Sequence, residues 1–404
     1  MAISSQTLTR KRKRNIIIIV FLFVAVYFLV LNPAFTFMGG LHTVLLLFPL
    51  LFLFVFPKIN KQLRLYKRLF FCWLLLFTYV LLRTLMGGET AFVVFILMLL
   101  LEGCLISYVI IRIAILNRID FEEILLLVAS VAGIISCICL FVPPVNEFTK
   151  SIQVITNDSL LTNLFRGFGI GEGLTFGYSV ALGSICALGI CTIDRHKWFI
   201  PFIPIIFIAT IINARTGIVP IGIAFVFFLV SSRKVSYWLY SILVLALIVV
   251  LWIEIFEELV PEETLLWVLK FFTEIGEGKD GGTYMQLVST FPLPDTILEW
   301  IFGKGFSVFD PPRGDRSDIG YLIQINYGGI IYCFFLVMFL IQLLRIGYKF
   351  VPRLFFWTMT LSMLFFNYKG EYVGSQAFFI FILSFFYFIQ AGNIKEYKSV
   401  QSSK

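Results

Sequence analysis

Long apolar runs alternate with short polar segments along almost the whole chain. Most runs reach or approach the ~20 residues that a helix needs to cross the hydrocarbon core of a bilayer. They lie at about 15–31, 41–57, 69–86, 91–111, 122–142, 174–193, 198–213, 217–232, 235–253, 320–344, 354–367 and 375–391. The pattern predicts an all-α polytopic membrane protein, with about 12 transmembrane helices in a single membrane domain that covers residues 1–404.

The composition supports this class and excludes others. Hydrophobic residues make up 59% of the 404 positions, and 47 residues are phenylalanine, which is far outside the range of soluble domains. The formal charge of +8 would favour a nucleic-acid partner in a soluble protein. Here most basic residues lie between apolar runs, where they anchor helices, so no nucleic acid is predicted. All seven cysteines fall in apolar runs, so no disulfide framework is predicted either.

The distribution of lysine and arginine predicts the orientation. With a cytoplasmic N-terminus, 22 of the 32 basic residues lie in cytoplasmic segments and 10 lie outside. Cytoplasmic loops of membrane proteins are enriched in lysine and arginine, so both termini are predicted to be cytoplasmic. The basic segment Arg10–Arg14 precedes an apolar run without an A-x-A cleavage site, which predicts an uncleaved first span.

The long polar stretch at 255–319 is predicted to be an outer loop between the ninth and tenth spans. Its segment 262–274 carries leucine and phenylalanine at helical spacing, which predicts a short helix on the outer leaflet or over a cavity. The loop ends in Arg313, Arg316 and Asp318. Membrane proteins keep arginine away from the outer side, so these groups are expected to have an anionic partner.

Two further arginines lie at predicted outer turns. Arg215, in the turn Asn213–Gly217, is read either as an interfacial side chain that reaches for water or as a ligand for phosphate or carboxylate. Arg166 precedes a glycine-rich run, 167–173, which is interpreted either as a site of close helix packing or a broken helix end, or as a backbone cradle for an anion. Both arginines are candidate anion ligands.

Acidic residues offer alternatives at the same predicted face. Three aspartates at the end of the long loop leave open a divalent-metal site or a solvated loop with local ion pairs (Asp310, Asp315 and Asp318). Lys369 and Glu371 share the last outer turn and are read as an ion pair, or Glu371 as a base. Glu102, in the middle of a span, is either functional or a neutral structural group. Neither of the two histidines, His42 and His196, lies in the long loop, so a histidine-based nucleophile or zinc site there is excluded.

The chain resembles the Wzy-type O-antigen polymerases. The similarity rests on about twelve spans with one long outer loop late in the chain, and on short motifs. These motifs are the Arg215-Thr-Gly turn, Ile301-Phe-Gly303-Lys-Gly305-Phe, Ser317-Asp318-Ile-Gly320-Tyr321, Gly328-Gly329, and the arginine-to-glycine spacings Arg166 to Gly177 and Arg313 to Gly329. In the arrangement of spans and loops, the resemblance extends over nearly the whole chain.

The resemblance implies a class C membrane glycosyltransferase in the bacterial inner membrane. Such an enzyme moves a growing glycan from undecaprenyl pyrophosphate to the terminal sugar of another lipid-linked repeat unit. Its implied partners are that lipid-linked oligosaccharide, membrane lipid and a chain-length-regulating co-polymerase, and no cofactor or metal is implied. The expected pyrophosphate-binding residues are Arg166, Arg215, Arg313, Arg316, Lys369 and Tyr321, and the expected bases are Asp318 and Glu371.

Three other functions are compatible with parts of the sequence. O-antigen ligase has a similar architecture, but that family uses a histidine in the long outer loop, which this chain lacks. A lipid-linked oligosaccharide flippase or another transporter is expected to carry more charges inside its spans and to show an internal repeat. A non-enzymatic scaffold leaves the outer arginines unexplained. The sequence therefore favours the polymerase.

Overall fold

The described part of the chain is helical. The structure is a computed structural model that describes residues 2–38, 63–154, 166–171, 175–232, 291–309, 316–373 and 376–402. Over these ranges the regular elements are helices, apart from one isolated antiparallel bridge between Phe35 and Gln153. The all-α class predicted from the sequence is confirmed for these residues.

The helices are numbered here in chain order. They are α1 (Ala2–Leu31), α2 (Leu63–Leu85), α3 (Ala91–Met98), α4 (Ser107–Leu116), α5 (Phe121–Phe141), α6 (Pro143–Ser151), α7 (Thr175–Cys191), α8 (Phe202–Asn213), α9 (Ile218–Ser232), α10 (Ile297–Phe302), α11 (Gly320–Phe350), α12 (Arg353–Lys369) and α13 (Phe379–Ser402). A π-helical segment, Leu99–Ile106, joins α3 to α4 and contains the fully buried Glu102.

Several helices are long and apolar enough to cross a membrane. Four meet both criteria (Tyr66–Leu85, Ala91–Leu116, Phe121–Phe141 and Gly320–Phe350), and shorter apolar helices accompany them. Every predicted run within the described residues coincides with a helix. The predicted runs at 41–57 and 235–253, and the predicted loop helix at 262–274, lie outside the described residues. The membrane class is thus supported, and the count of twelve spans stays a prediction.

The chain divides into two compact units, each built from separate stretches of sequence. The first unit comprises Met1–Pro57, Leu105–Phe228 and Phe386–Lys404, and the second comprises Lys58–Cys104 and Leu229–Phe385. Arg166 and Arg215 belong to the first unit. The other predicted site residues that the structure describes belong to the second unit, namely Arg316, Asp318, Tyr321, Lys369 and Glu371.

Small residues allow the helices of the first unit to pack closely. α8 packs against α5 and α7. A side chain at Gly133 of α5 would approach Ile206 of α8 to 3.1 Å, and Ala129 and Ala132 beside it are fully buried. In a lipid environment the hydrophobic effect does not drive helices together. Close van der Waals packing, which small residues allow, stabilises the helix pair instead.

In the second unit, α11 is broken at Gly329. This glycine has φ 63° and ψ −164°, a conformation that side chains rarely adopt. A Cβ at Gly329 would lie 2.3 Å from the carbonyl oxygen of Ile301, and a Cβ at Gly303 would lie 2.3 Å from that of Tyr327. The two glycine motifs of the sequence therefore pack against each other, backbone to backbone.

The break frees backbone carbonyls that must find other donors in an apolar setting. The donors come from the segment after α10 and from α2. The backbone N–H of Lys304 donates to Asn326 O, that of Gly305 donates to Tyr327 O at 3.0 Å, and the Tyr79 hydroxyl donates to Gly328 O at 2.7 Å. Arg83 of α2 adds a bond from Nη2 to the Gly303 carbonyl at 3.0 Å. These bonds hold the end of the long loop against α11.

Replacing Gly329 with alanine should destabilise the protein by at least about 2 kcal/mol, because the new Cβ meets backbone atoms at a positive φ. Gly222→Ala is the matched control. Gly222 lies exposed in α9 with nothing within 4 Å of a new Cβ, so alanine should be neutral or stabilise slightly. Thermal unfolding in detergent measures both. Equal unfolding temperatures for the two variants would contradict the backbone contact at Gly329.

Candidate functional site

The loop that carries Arg166 is pinned by hydrogen bonds from three helices and from Gln153, just after α6. The Ser136 hydroxyl of α5 donates to the carbonyl of Gly167, and Asn213 Nδ2, at the end of α8, donates to the same carbonyl at 3.1 Å. Further along, Gln153 Nε2 donates to Gly169 O at 2.7 Å, and the Tyr27 hydroxyl of α1 donates to Ile170 O at 2.8 Å. These bonds hold residues 167–170 against the helices of the first unit.

The glycines of this loop serve close packing. A Cβ at Gly169, where φ is +58°, would lie 2.4 Å from Ile135 Cγ2, and a Cβ at Gly171 would lie 2.6 Å from the ring of Tyr178. The amide N–H of Gly171 donates to Gln153 Oε1 at 3.1 Å. Of the two interpretations of the glycine run, the structure supports helix packing.

The turn that carries Arg215 is positioned by close backbone contact with α7. A Cβ at Gly217 would lie 2.2 Å from the carbonyl of Ser179, and a Cβ at Gly183 would lie 1.9 Å from the carbonyl of Gly217. Because Ser179 and Gly183 are one turn apart on α7, the Arg215–Gly217 turn lies directly on that helix. Asn213, two residues before Arg215, is bonded to Gly167, one residue after Arg166. The two arginines are therefore brought together.

Lys150 joins the two arginines, and the three residues form what we call the cationic cluster. Burial and the charge of Arg215 lower the pKa of Arg166. Burial and the charge of Arg166 lower the pKa of Lys150 to about 8, although the nearby Cys139 and Glu147 oppose this shift. Like charges raise one another's free energy at short range, so this arrangement favours an anion that bridges them.

Sequence reasoning missed Lys150 as a site residue. It was one of ten basic residues on the predicted outer side, and nothing in its local sequence separated it from the rest. It lies in the last turn of the amphipathic helix α6, where it is only 4% exposed, with its ammonium group 5.9 Å from the ring centre of Phe168. A lysine on the buried face of a short amphipathic helix is the signal that marks it.

The turn that carries Glu371, in the second unit, is held by an amide pair. Asn367 Nδ2 donates to Gln324 Oε1 at 3.0 Å, and Gln324 Nε2 donates to Asn367 Oδ1 at 3.1 Å. The same Asn367 oxygen accepts from the backbone N–H groups of Tyr372 and Val373 at 3.3 and 3.2 Å. These bonds link α11 to the turn after α12 and fix the backbone beside Glu371.

Glu371 has the electrostatics of a base that works near neutral pH. Burial and the nearby carboxylate of Glu89 raise its pKa to about 8. Glu89 lies in the turn between α2 and α3, where its backbone N–H donates to Gly305 O at 2.8 Å. A general base is most effective when its pKa is close to the working pH, which Glu371 satisfies.

The segment before α11 reaches the same turn. A Cβ at Gly320 would lie 2.9 Å from the Cα of Glu371 and 2.4 Å from the carbonyl of Gly370. Asp318, two residues earlier, is 47% exposed by side chain and lies 3.7 Å from Arg316 Nε. Arg316 is 62% exposed and stacks over Phe309 at 4.5 Å. The predicted local ion pair is therefore present for these two residues.

The remaining predicted residues are placed as follows. The Tyr321 hydroxyl, on the first turn of α11, donates to the Leu364 carbonyl of α12 at 3.0 Å. Lys369 is the last residue of α12 and is partly buried. Arg313, and with it Asp310 and Asp315 of the conceivable metal site, lies outside the described residues. The structure thus groups Arg166 with Arg215 in one unit, and Arg316, Asp318, Tyr321, Lys369 and Glu371 in the other.

Comparison with models of protein families and with curated proteins finds no match to this chain. The Wzy-type resemblance therefore rests on the residues named above.

Proposed function

We propose that this protein is a membrane-embedded glycan polymerase. It transfers a growing glycan from a polyprenyl pyrophosphate carrier, undecaprenyl pyrophosphate, to the terminal sugar of another lipid-linked repeat unit. The observation that carries the proposal is the cationic cluster, in which Lys150, Arg166 and Arg215 converge although they are far apart in the sequence. A pyrophosphate has the negative charge and the oxygen geometry that two guanidinium groups bind best.

The chemistry requires charge stabilisation at the leaving group. As the bond between the anomeric carbon and the pyrophosphate oxygen breaks, the electron pair stays on that oxygen and negative charge builds up. Fixed cations beside this oxygen stabilise the transition state more than the ground state, which lowers the barrier without a metal ion. The cationic cluster supplies these charges in the proposal.

The acceptor sugar hydroxyl must lose its proton as it forms the new glycosidic bond. Of the two bases expected from the sequence, Glu371 is favoured, because its raised pKa lets it accept a proton near neutral pH. Asp318 is partly exposed and its carboxylate is already engaged by Arg316 Nε at 3.7 Å, so Glu371 is the better placed of the two.

The proposal includes a specific membrane arrangement. The chain would be a class C glycosyltransferase with about 12 spans in the bacterial inner membrane, and with both termini in the cytoplasm. The 22-to-10 division of basic residues supports that orientation, and it puts all three members of the cationic cluster on the outer side. The absence of histidine from 255–319 favours polymerase over ligase.

Purified protein in detergent, mixed with lipid-linked repeat units, tests the proposal. A polymerase should produce a ladder of glycans that differ by one repeat unit, and no membrane potential or compartment is needed. A flippase or transporter produces no ladder in detergent. Absence of the ladder under conditions in which a known polymerase is active would reject the enzyme.

The affinity for inorganic pyrophosphate should fall as pH rises through about 8, because Lys150 is protonated below that pH and loses its charge above it. Calorimetric titration from pH 6.5 to 9.5 should show a loss of about tenfold, which corresponds to about 1.4 kcal/mol for one charge-assisted contact. Lys150→Arg keeps its charge over this range and should remove the pH dependence. A fall of the same size in Lys150→Arg would exclude Lys150 as its source.

A further inference from the structure

A second cluster of potential ligands lies at the opposite end of α5 from the cationic cluster. Asp120, Glu123 and His196 each place one ligand atom within 4.8 Å of the others. Asp120 and Glu123 lie at the start of α5, and His196 lies in the turn between α7 and α8. About 15 residues of helix, or about 22 Å, separate the start of α5 from Ser136, which contacts the Arg166 loop. The two clusters are therefore independent.

The orientation of His196 is the observation that points to a ligand. Its imidazole is only 4% exposed, and Nε2 lies 3.3 Å from Glu122 Oε2. Glu122 is itself buried and ion-paired with Arg195 at 2.9 Å, so it is held as an acceptor. A carboxylate that accepts from Nε2–H leaves the lone pair of a neutral imidazole on Nδ1. That Nδ1 atom is buried and has no hydrogen-bond partner in the structure.

A carboxylate behind a histidine is the usual support of a metal-bound imidazole. It fixes the tautomer and the ring orientation and makes the nitrogen that faces the metal more basic. A buried nitrogen without a partner costs free energy, which coordination would offset. The Asp120 and Glu123 side chains are exposed, and Asp120 accepts hydrogen bonds from the backbone N–H of Glu122 at 3.0 Å and from the Tyr387 hydroxyl.

We propose that Asp120, Glu123 and His196 form a binding site for one divalent transition-metal ion, with Glu122 as the positioning residue behind the imidazole. One nitrogen and two carboxylate oxygens suit an ion such as Zn²⁺, whereas Ca²⁺ and Mg²⁺ prefer oxygen ligands alone. Zinc ligands lie about 3.4 Å apart because Zn–N and Zn–O bonds are about 2.1 Å, so a small movement of the carboxylates closes the site. The metal would tie the connection before α5 to the turn between α7 and α8.

The test is Zn²⁺ binding by the full-length protein in detergent, purified without a polyhistidine tag. Titration against a competing chromophoric chelator should give one site per chain, and thermal unfolding should shift to higher temperature with Zn²⁺ but not with Ca²⁺. His196→Ala removes a buried ring and can disturb folding, so the decisive variant is Asp120→Asn with Glu123→Gln. Asparagine caps a helix as well as aspartate does, so this double variant keeps the start of α5 intact.

The double variant is expected to weaken Zn²⁺ binding at least tenfold and to lose the thermal shift. Asp194→Asn is the matched control, since it removes one exposed carboxylate of the same turn that is not part of the cluster, and it should bind like the native protein. Equal binding by the native protein and the double variant would mean an adventitious ion only, held for example by the cysteines. Binding of Ca²⁺ as tightly as Zn²⁺ would overturn the assignment to a transition metal. Either result leaves the proposed polymerase activity untouched.

Discussion

Replacing Arg215 with alanine is expected to lower glycan polymerisation by at least about 100-fold while the protein still inserts and accumulates. Removing one charge-stabilising donor from a transition state costs on the order of 100-fold to 1,000-fold. Arg215→Lys should also abolish polymer formation. Lysine keeps the charge but loses the planar fork that binds two oxygens, and its shorter reach cannot maintain the contact set by the turn on α7. The length of the glycan ladder formed from lipid-linked repeat units measures both variants.

Arg353→Ala is the matched control for Arg215. Arg353 is exposed at the start of α12 and lies on the predicted cytoplasmic side, so its loss should leave the ladder unchanged. Normal long-chain polysaccharide from either Arg215 variant would remove this residue from the mechanism. A similar loss in Arg353→Ala would mean that general loss of positive charge explains the effect.

Replacing Glu371 with glutamine is expected to reduce the rate of transfer by on the order of 100-fold to 10,000-fold, the usual contribution of a general base. Glutamine has nearly the same shape, so the turn held by Asn367 and Gln324 should persist. Asp318→Asn provides the comparison at the other expected base and should have little effect. Full activity in Glu371→Gln together with loss in Asp318→Asn would reverse the assignment.

The pH dependence gives Glu371 a second signature. A base must be ionised, so the native rate should rise as pH approaches about 8, whereas Glu371→Gln should show no such rise. Stability changes in the opposite direction. The folded-state pKa lies above the ordinary value of 4.5, so the folded protein holds the proton more tightly and loses stability as pH rises from about 4.5 through 8. At pH 9 the glutamine variant should therefore unfold at a higher temperature than the native protein.

The helical elements could be predicted from the sequence because their cause is local. A backbone in an apolar medium must satisfy its own hydrogen bonds, so long apolar runs become helices whatever their neighbours are. α5 and α11 begin within one residue of the predicted runs at 122–142 and 320–344. The break of α11 at Gly329 could not be predicted in the same way. A glycine pair within an apolar run is also compatible with an unbroken helix, and the donors that stabilise the break lie on α2 and beside α10.

For the candidate site, the sequence indicated candidate residues, but it did not indicate which of them lie close together. Arg166 and Arg215 could be selected as candidate anion ligands because arginine is rare on the outer side of membrane proteins. Lys150 could not be selected, because its role depends on its burial and on its proximity to Arg166, neither of which a sequence shows. The raised pKa of Glu371 depends on burial and on Glu89, which lies in a distant part of the chain, and a sequence shows neither.

The sequence by itself determined that this protein forms helices long and apolar enough to span a membrane, and which polar residues interrupt them, since both follow from local hydropathy and chain connectivity. Only the tertiary structure decided which of those polar residues meet. Arg166 and Arg215 converge because the Asn213 side chain bonds to Gly167 and because Gly217 packs on Gly183, and Lys150 joins them where it is buried beside Phe168. His196 places a ring nitrogen within 4.8 Å of carboxylate oxygens of Asp120 and Glu123, which are far from it in the sequence. Electrostatic energies depend on distance through space and on burial, so residues far apart in the sequence acquire their chemistry only when the helices pack.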